Sequence, residues 1–519
     1  MPIYGIDLGT TFSAIAYVNL HGEPVCIPLG ENGEWTIPSA VLFSGEREVY
    51  VGQEAIEHSL DEGTLLIEFA KRDIGLQNGR TWRYGGWVYT PEEISALILK
   101  KIAQLVNKER YLPPVRDVVI SHPQYFYMNQ KEATKEAGEL AGFNVVATIS
   151  EPNAAAIAYG VYERSGERDM TVLVFDLGGG TFDVTLMRVA QRRFEMIGSD
   201  GDAQLGGIDW DAEIIRFAKE QFHRRTEKDF DDVASPQDVI QLRKNAQQAK
   251  ERLSRNDAHR FTLQAGQFTM LIEITRSDFE GMCQHLVERC LSRCHRLFQR
   301  TGYDWGKLDE VLLVGSATKM PMIQDAVRRA FGREPRIDSY PKLVVAKGAA
   351  IWGYWVEEGV IDPRWIETEE EEPAGLEIPK IAGRTAHGLG VLARSDGRRI
   401  VYILVPQNTQ TPHETEQIFY PDRDNATSIV VPLYEGDSED PDSCVPIGHV
   451  TISGLPPRPR DQVQVRVKFK IDVSGRLEVE VVDVQTGRRE ILHVDRDTRR
   501  NRGPDLEARR RHLQEIRIR

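Results

Sequence analysis

Two short stretches of this chain carry carboxylates, glycines and hydroxyls at spacings that suit phosphate chemistry. The later one, Asp176-Leu-Gly-Gly-Gly-Thr-Phe-Asp183, lies between two apolar, β-branched runs at 172–175 and 184–189. Consecutive glycines at such a turn let bare backbone N–H groups approach an anion closely, and Thr181 adds a hydroxyl donor. Asp176 and Asp183 would repel a phosphate unless a divalent cation stood between them. The octet therefore reads as Mg²⁺ plus phosphate, the alternative being a Gly-rich turn of purely structural use. An earlier stretch, Asp7-Leu-Gly-Thr-Thr-Phe-Ser13, repeats the plan between apolar runs at 3–6 and 14–18. Two hairpins of one design predict a duplicated unit with phosphate held between its halves, and the second copy disfavours the structural alternative.

The elements that must position these hairpins are legible in outline. Thr90-Pro91-Glu92-Glu93 is a capping box with proline at the first helical position, followed by Ile94, Leu97, Ile98, Ile102, Leu105 and Val106 on one face. A strand at 118–120 leads to Ser121-His122-Pro123, a helix at about 129–141 and a short strand at 144–149. Glu151-Pro-Asn-Ala-Ala-Ala156 then starts a helix of small residues. Ser235-Pro-Gln-Asp238 opens another, with Leu242, Ala246, Ala249 and Leu253 aligned. The strand 311–314 enters a small-residue turn, Gly315-Ser-Ala-Thr-Lys319, that suits the flat face of a base or sugar. Cys283, Cys290 and Cys294 fall within a helix at 277–299 and read as small apolar residues on its buried face, since no CxxC pair is present.

At 519 residues the chain has room for three or four domains. A net charge of −14 argues against general nucleic-acid binding. Five cysteines and no signal-peptide pattern fit a reducing cytoplasm, and no apolar run is long enough to span a bilayer. The pattern changes after about Gly353. Residues 367–372 hold five glutamates between prolines and read as a linker. Beyond it Val463, Val465, Val467, Phe469 and Ile471 alternate, a turn follows at 472–475, and Leu477 and Val479 resume, which predicts a β domain. The Arg-rich last stretch reads as a short helix or disordered segment whose basic side chains form a solvated face.

In this order the motifs resemble those of the seventy-kilodalton heat-shock chaperones of the DnaK type, within the actin, sugar-kinase and chaperone ATPase superfamily. Asp7-Leu-Gly-Thr-Thr, Phe69-Ala-Lys-Arg, Glu151-Pro-Asn-Ala-Ala-Ala-Ile-Ala-Tyr-Gly160, Asp176 to Asp183, Leu205-Gly-Gly-Ile-Asp209 and Ala346-Lys-Gly-Ala-Ala-Ile351 occur in family order. Gln417-Ile-Phe419 and Gly454-Leu-Pro-Pro-Arg-Pro459 resemble the family's peptide-binding domain. The resemblance implies an α/β actin-like (ribonuclease-H-like) two-lobed ATPase domain at 1–360 and an acidic linker at 361–384. It places a β-sandwich substrate-binding domain at 385–494 and an Arg-rich tail at 495–519 with the family's helical lid absent. It implies ATP/ADP and Mg²⁺ as cofactors, with K⁺ a further candidate. It also implies clients that are unfolded or extended polypeptides, J-domain and nucleotide-exchange partners, and a cytoplasmic role in protein folding and stress response.

By the same resemblance, Asp7 and Asp176 hold Mg²⁺ mainly through water, and Gly9, Thr10, Thr11, Gly178, Gly179, Gly180 and Thr181 face the phosphates. Lys71 places or polarises the attacking water, and Glu151 and Asp183 orient it or accept its proton. Gly206, Gly207, Lys250, Ser254, Gly315, Ser316 and Lys319 line the nucleoside pocket. Here the chain departs from the family at Gln247, Ser316, Ala317, Lys319 and Lys342, which implies weaker nucleoside affinity. The family's proline–arginine relay is represented by Pro123 and Lys131, and its leucine-rich linker by Leu376, Ile378 and Ile381. Both changes imply weakened coupling. Val391, Phe419, Ile429 and Val431 are the apolar candidates for the peptide cleft, with Arg394 and Asp422 expected to pair as a charged arch above it. Three functions follow in decreasing order: a lidless ATP-driven chaperone, a nucleotide-binding holdase or scaffold, and a small-molecule kinase.

Overall fold

The apolar runs pair into two sheets built to the same plan, in a computed structural model that describes residues 2–30, 33–61, 63–76, 78–109, 111–162, 169–190, 193–337, 343–359, 380–395, 397–472, 475–494 and 506–519. In the first sheet the order is Asn144–Ser150, Asp117–His122, Tyr4–Leu8, Phe12–Val18, Pro24–Cys26. Tyr4–Leu8 runs parallel to Asp117–His122 and forms an antiparallel hairpin with Phe12–Val18. In the second, Met170–Leu177 runs parallel to Glu310–Val314 and forms an antiparallel hairpin with Phe182–Ala190. The duplication expected from the two motifs is thus present in the strand pairing.

Helices Pro91–Val106 and Met128–Ala141 join the first half's core with Tyr4, Ile6 and Leu8. The predicted capping box is formed, with the Glu93 N–H donating to Thr90 and the Thr90 N–H donating to Glu93. Helices Gly207–Thr226, Pro236–Leu253, Arg276–Thr301 and Pro321–Phe331 enclose the second half's core around Phe175, Phe182 and Trp210. Cys283, Cys290 and Cys294 lie fully buried on Arg276–Thr301, as small apolar residues should.

Between the sheets lie the helices Glu151–Tyr162 and Val344–Glu357, which share a core with Val119, Ile149 and Val174. Small residues permit their close approach. A Cβ on Gly348 would stand 1.8 Å from the Ala154 carbonyl oxygen, and one on Gly5 would stand 2.0 Å from the Ala350 nitrogen.

The later alternating runs form two four-stranded antiparallel sheets. They share one core that includes Leu389, Leu433, Val467, Phe469 and Val479. In Val465–Ile471 every second residue is buried, as the alternation predicted. Residues 361–379, with the acidic run, Leu376 and Ile378, lie outside the described residues, as does Lys342. The end of the expected linker is a strand: Lys380–Arg384 pairs in parallel with Arg193–Asp202 at the edge of the second half's hairpin.

The short helix expected of the Arg-rich stretch is present and Arg511, Arg517 and Arg519 are exposed as expected, but the solvated-face reading is corrected at Arg509. Helix Leu506–Glu515 and strand Arg517–Ile518 pack on the first half, with Leu513 and Ile516 in its core and Arg509 buried. The acidic partners of Arg509 lie hundreds of residues earlier, so local sequence holds no sign of them.

Gly348→Ala is expected to lower stability by about 1–3 kcal/mol, because its methyl group meets backbone and not a movable side chain. Urea unfolding of the two proteins, compared at equal denaturant slope, measures this.

Candidate functional site

The two hairpin turns interlock at the mouth of the groove between the halves. A Cβ on Gly179 would fall 1.5 Å from Thr11 Oγ1, and one on Gly180 would fall 2.4 Å from Thr10 Cγ2. Only glycine allows the turns to come this close. The start of helix Gly207–Thr226 completes the wall, its Gly207 N–H donating to the Gly178 carbonyl and its Ile208 N–H to that of Gly179, each at 2.9 Å. A Cβ on Gly206 would meet the Gly180 nitrogen at 2.5 Å.

Above these turns lies a cleft of about 540 Å³. Its walls bring together Asp7, Gly9, Thr10, Thr11, Lys71, Glu151, Asp176, Gly178, Gly179, Thr181, Gly315 and Ser316, most of the residues expected to handle phosphate. Lys71 follows Phe69, which adopts a left-handed φ of 61° that turns the lysine inward. Its Nζ lies 2.7 Å from Glu151 Oε1, with side-chain exposures of only 4% and 10%. Asp7 accepts a hydrogen bond of 3.1 Å from the Ser121 hydroxyl.

Four carboxylates thus surround a single ammonium group. Burial first, and then the charge of Glu151, push Asp7 up to about 7 and Asp183 up to about 8. Burial and the neighbouring Glu151, Asp183 and Asp7 raise Asp176 well above the usual carboxylate range. Such uncompensated negative charge fits a cation, and a dry site with N–H and hydroxyl donors fits a phosphate. Among the described residues, no three His, Cys, Asp or Glu side chains are grouped closely enough to hold a bare metal ion.

Asp183 does not line this cleft. It is 2% exposed, and its Oδ1 accepts a 3.0 Å hydrogen bond from the Tyr125 N–H. Gly180, Gly206 and Gly207 stand behind the cleft as packing surfaces. Lys250 is tied at 2.8 Å to both the Gly207 carbonyl and Asp211, while Ser254 caps its own helix and Lys319 is exposed. Arg72 has no role in the sequence reading. Its Nε donates to the Gly180 carbonyl at 2.9 Å and its Nη2 pairs with Asp209 at 2.6 Å, bolting the lysine segment to the opposite hairpin. The only sequence sign of this was its place in Phe69-Ala-Lys-Arg.

In the β unit, Val391 and Val431 are buried core residues, while Phe419 and Ile429 lie half-buried beside it. Phe419 meets the partly exposed Tyr402 edge-to-face at 5.5 Å. Arg394 Nε and Asp422 Oδ2 lie 3.9 Å apart, both well exposed, so the two are brought together on one side of the unit.

The β unit sits on the loop 123–128 of the first half. Glu435 accepts the Met128 N–H at 2.7 Å, and Gln124 donates to the Arg384 carbonyl at 3.3 Å. The His387 ring stacks on Tyr127 at 4.1 Å, and its Nε2 lies 3.2 Å from the Tyr125 carbonyl oxygen. Its Nδ1 faces Asp437 at 3.6 Å; burial would raise this carboxyl, but His387 and the Gly388 N–H hold it below its usual range. Lys131 lies half-buried facing Glu435 and Asp183, its amine lowered by burial. Tyr125 therefore links Asp183 on one side of its backbone to His387 on the other.

A cation-ready carboxylate cluster between interlocked phosphate turns, joined to an antiparallel β unit, defines a class of nucleotide-driven protein with a separate binding module. The chain belongs to the Hsp70 family, whose model, described as Hsp70 protein, matches residues 3–82 and 77–507. It is similar to the Chaperone protein DnaK of Metamycoplasma hominis, with 33% identity over 498 residues, covering 95% of this chain and 79% of that protein. The chain is accordingly an ATP-dependent chaperone, an ATPase that binds nucleotide and acts on unfolded polypeptide. Among the described residues no helix is long and apolar enough to cross a membrane.

Because these aspartates bind protons more tightly folded than unfolded, their stabilising effect is complete below about pH 4 and is lost as pH rises through about 7–8. In EDTA the melting temperature should therefore fall between pH 6 and 8. The fall should be smaller in Asp183→Asn and largely suppressed by Mg²⁺ with ADP, as thermal melts at the two pH values will show.

Proposed function

We propose that the two halves are the lobes of an actin-like ATPase domain, at about 1–360, that closes over Mg²⁺ and ATP. A linker at 361–384 would join it to a β-sandwich peptide-binding domain at 385–494. The observation that carries this reading is the buried Lys71–Glu151 pair set among Asp7, Asp176 and the interlocked turns.

Asp7 and Asp176 would hold the Mg²⁺, mainly through water, with K⁺ a further candidate at the same charged site. When bound, the metal neutralises charge on the phosphates. Gly9, Thr10, Thr11, Gly178, Gly179 and Thr181 offer N–H and hydroxyl donors to those phosphates, with Gly180 holding the turn. Lys71 supplies a fixed positive charge, oriented by Glu151, beside the transferred group. Glu151, which lines the cleft, is better placed than Asp183 to orient the attacking water. Asp183 acts behind it by holding Tyr125. The nucleoside would lie towards Gly206, Gly207, Lys250, Ser254, Gly315, Ser316 and Lys319.

An extended client segment would rest on Tyr402, Phe419 and Ile429, beneath the Arg394–Asp422 pair. Val391 and Val431 support that floor from within the core. J-domain and exchange partners and a cytoplasmic setting, in which protein folding under stress is the task, follow from family membership as parts of the same proposal.

Coupling between the sites would run from Asp183 through the Tyr125 peptide to His387. This route supports a coupled machine even though Lys131 stands where the relay arginine is usual. The competing holdase reading differs in one measurable respect, the dependence of peptide release on nucleotide.

Lys71→Ala is expected to bind ATP with near-normal affinity and to lose turnover by at least about 100-fold, since phosphoryl transfer rests on such fixed charges. Calorimetry and single-turnover hydrolysis measure the two; unchanged hydrolysis would remove Lys71 from the mechanism.

In the intact protein, peptide should leave faster with ATP than with ADP, and His387→Ala should shrink that ratio roughly fivefold or more. Fluorescent-peptide off-rates in the two nucleotides report this. Equal rates in the unaltered protein would establish the holdase reading.

A further inference from the structure

Helix Leu506–Glu515 lies across helices Pro91–Val106 and Met128–Ala141 of the first half. Arg509 is 7% exposed. Its guanidinium pairs with Glu136, donates to Thr90 Oγ1 at 2.8 Å, and stands 3.5 Å from Glu93 and 4.0 Å from Glu92. The His512 ring stacks on Trp87 at 3.9 Å, and its Nε2 lies 3.1 Å from the Tyr89 hydroxyl. Arg517 and Ile518 then add a parallel strand beside Glu48 and Val49, with the Arg519 N–H donating to the Val49 carbonyl at 2.9 Å. Leu513 and Ile516 enter the same half's core. Three glutamates clustered in a partly dry recess repel one another, so the recess needs a cation, and this chain supplies one from its far end.

The β unit is thereby attached at two places. It begins at strand Lys380–Arg384, paired into the second half's sheet. It ends at Val494, beside Met128 and Lys131 of the first half. Eleven residues, 495–505, join Val494 to Leu506, and a chain of that length reaches at most about 40 Å.

We propose that residues 506–519 are an intramolecular strap, a second and non-covalent anchor that ties the far end of the β unit to the first half. When the face on loop 123–128 separates, the strap limits the opening. It keeps the two docking faces at an effective concentration on the order of millimolar, so re-docking remains an internal event. This holds whether or not nucleotide drives the separation, so the strap stands apart from the coupling route through His387.

The test uses the full chain with a protease site placed within residues 361–379. After cutting, strand Lys380–Arg384, the docked face and the strap connect the two pieces, and only the strap is altered by the variants below. The cut wild-type chain should still co-elute on gel filtration at micromolar concentration with either ATP or ADP. Arg509→Glu should weaken the association on the order of 100-fold or more, because it sets a further carboxylate against Glu92, Glu93 and Glu136 in place of a cation. Glu136→Arg should do the same, and the combined charge swap Glu136→Arg with Arg509→Glu should restore co-elution, which a general folding defect would not. Separation of the cut wild-type pieces at micromolar concentration, or undiminished co-elution of cut Arg509→Glu, would overturn the strap.

Discussion

The fold depends on a single electrostatic problem, three buried carboxylates and the half-buried Asp7 gathered near one lysine. Asp7, Glu151, Asp176 and Asp183 come from both halves; Lys71 pairs with Glu151 among them, and Lys131 faces Asp183 from behind. Burial, and then the charge of Glu151, raise Asp7 to about 7 and Asp183 to about 8, and raise Asp176 well above the usual carboxylate range. A site with this excess of negative charge is completed by what it binds. In the proposed reading, the same groups would hold a metal and polyphosphate, and ligand binding would stabilise the halves together.

Bringing the carboxylates together needs close backbone contact, and glycine supplies it at each level. Gly179 and Gly180 let the turns interlock with Thr10 and Thr11, and Gly206 lets a helix start abut the second turn. Gly348 lets the two central helices cross against Ala154. A side chain at any of these would collide with its neighbour, so the contact could not keep its present spacing. Arg72 adds a polar bolt across the same seam.

The β unit reads this site from behind. Asp183 does not face the cleft; its partner is the Tyr125 N–H, and the Tyr125 carbonyl in turn faces His387. The carboxylate cluster is therefore one residue, Tyr125, from the β unit. Strand Lys380–Arg384 ties the unit's beginning to the second half while residues 506–519 tie the chain beyond its end to the first. The β unit thus hangs between the two halves.

Turn chemistry, capping boxes and strand alternation were legible in the sequence because each depends on neighbours a few residues away. Thr90 and Glu93, the Asp176–Asp183 hairpin and the alternating Val465–Ile471 strand formed as read. So did the duplication, since two copies of a local motif announce themselves. Many of the residues proposed to face phosphate line one cleft. What the sequence could not decide was every pairing across the chain: Asp183 turned towards Tyr125, Arg72 joined to Asp209, His387 stacked on Tyr127, and Arg509 drawn from an expected solvated face into a recess of glutamates. Sequence by itself determined which groups carry charge and where the backbone can turn. Tertiary structure decided which charges meet, because burial and distance, and not residue type, set whether an arginine is solvated or holds two parts of a protein together.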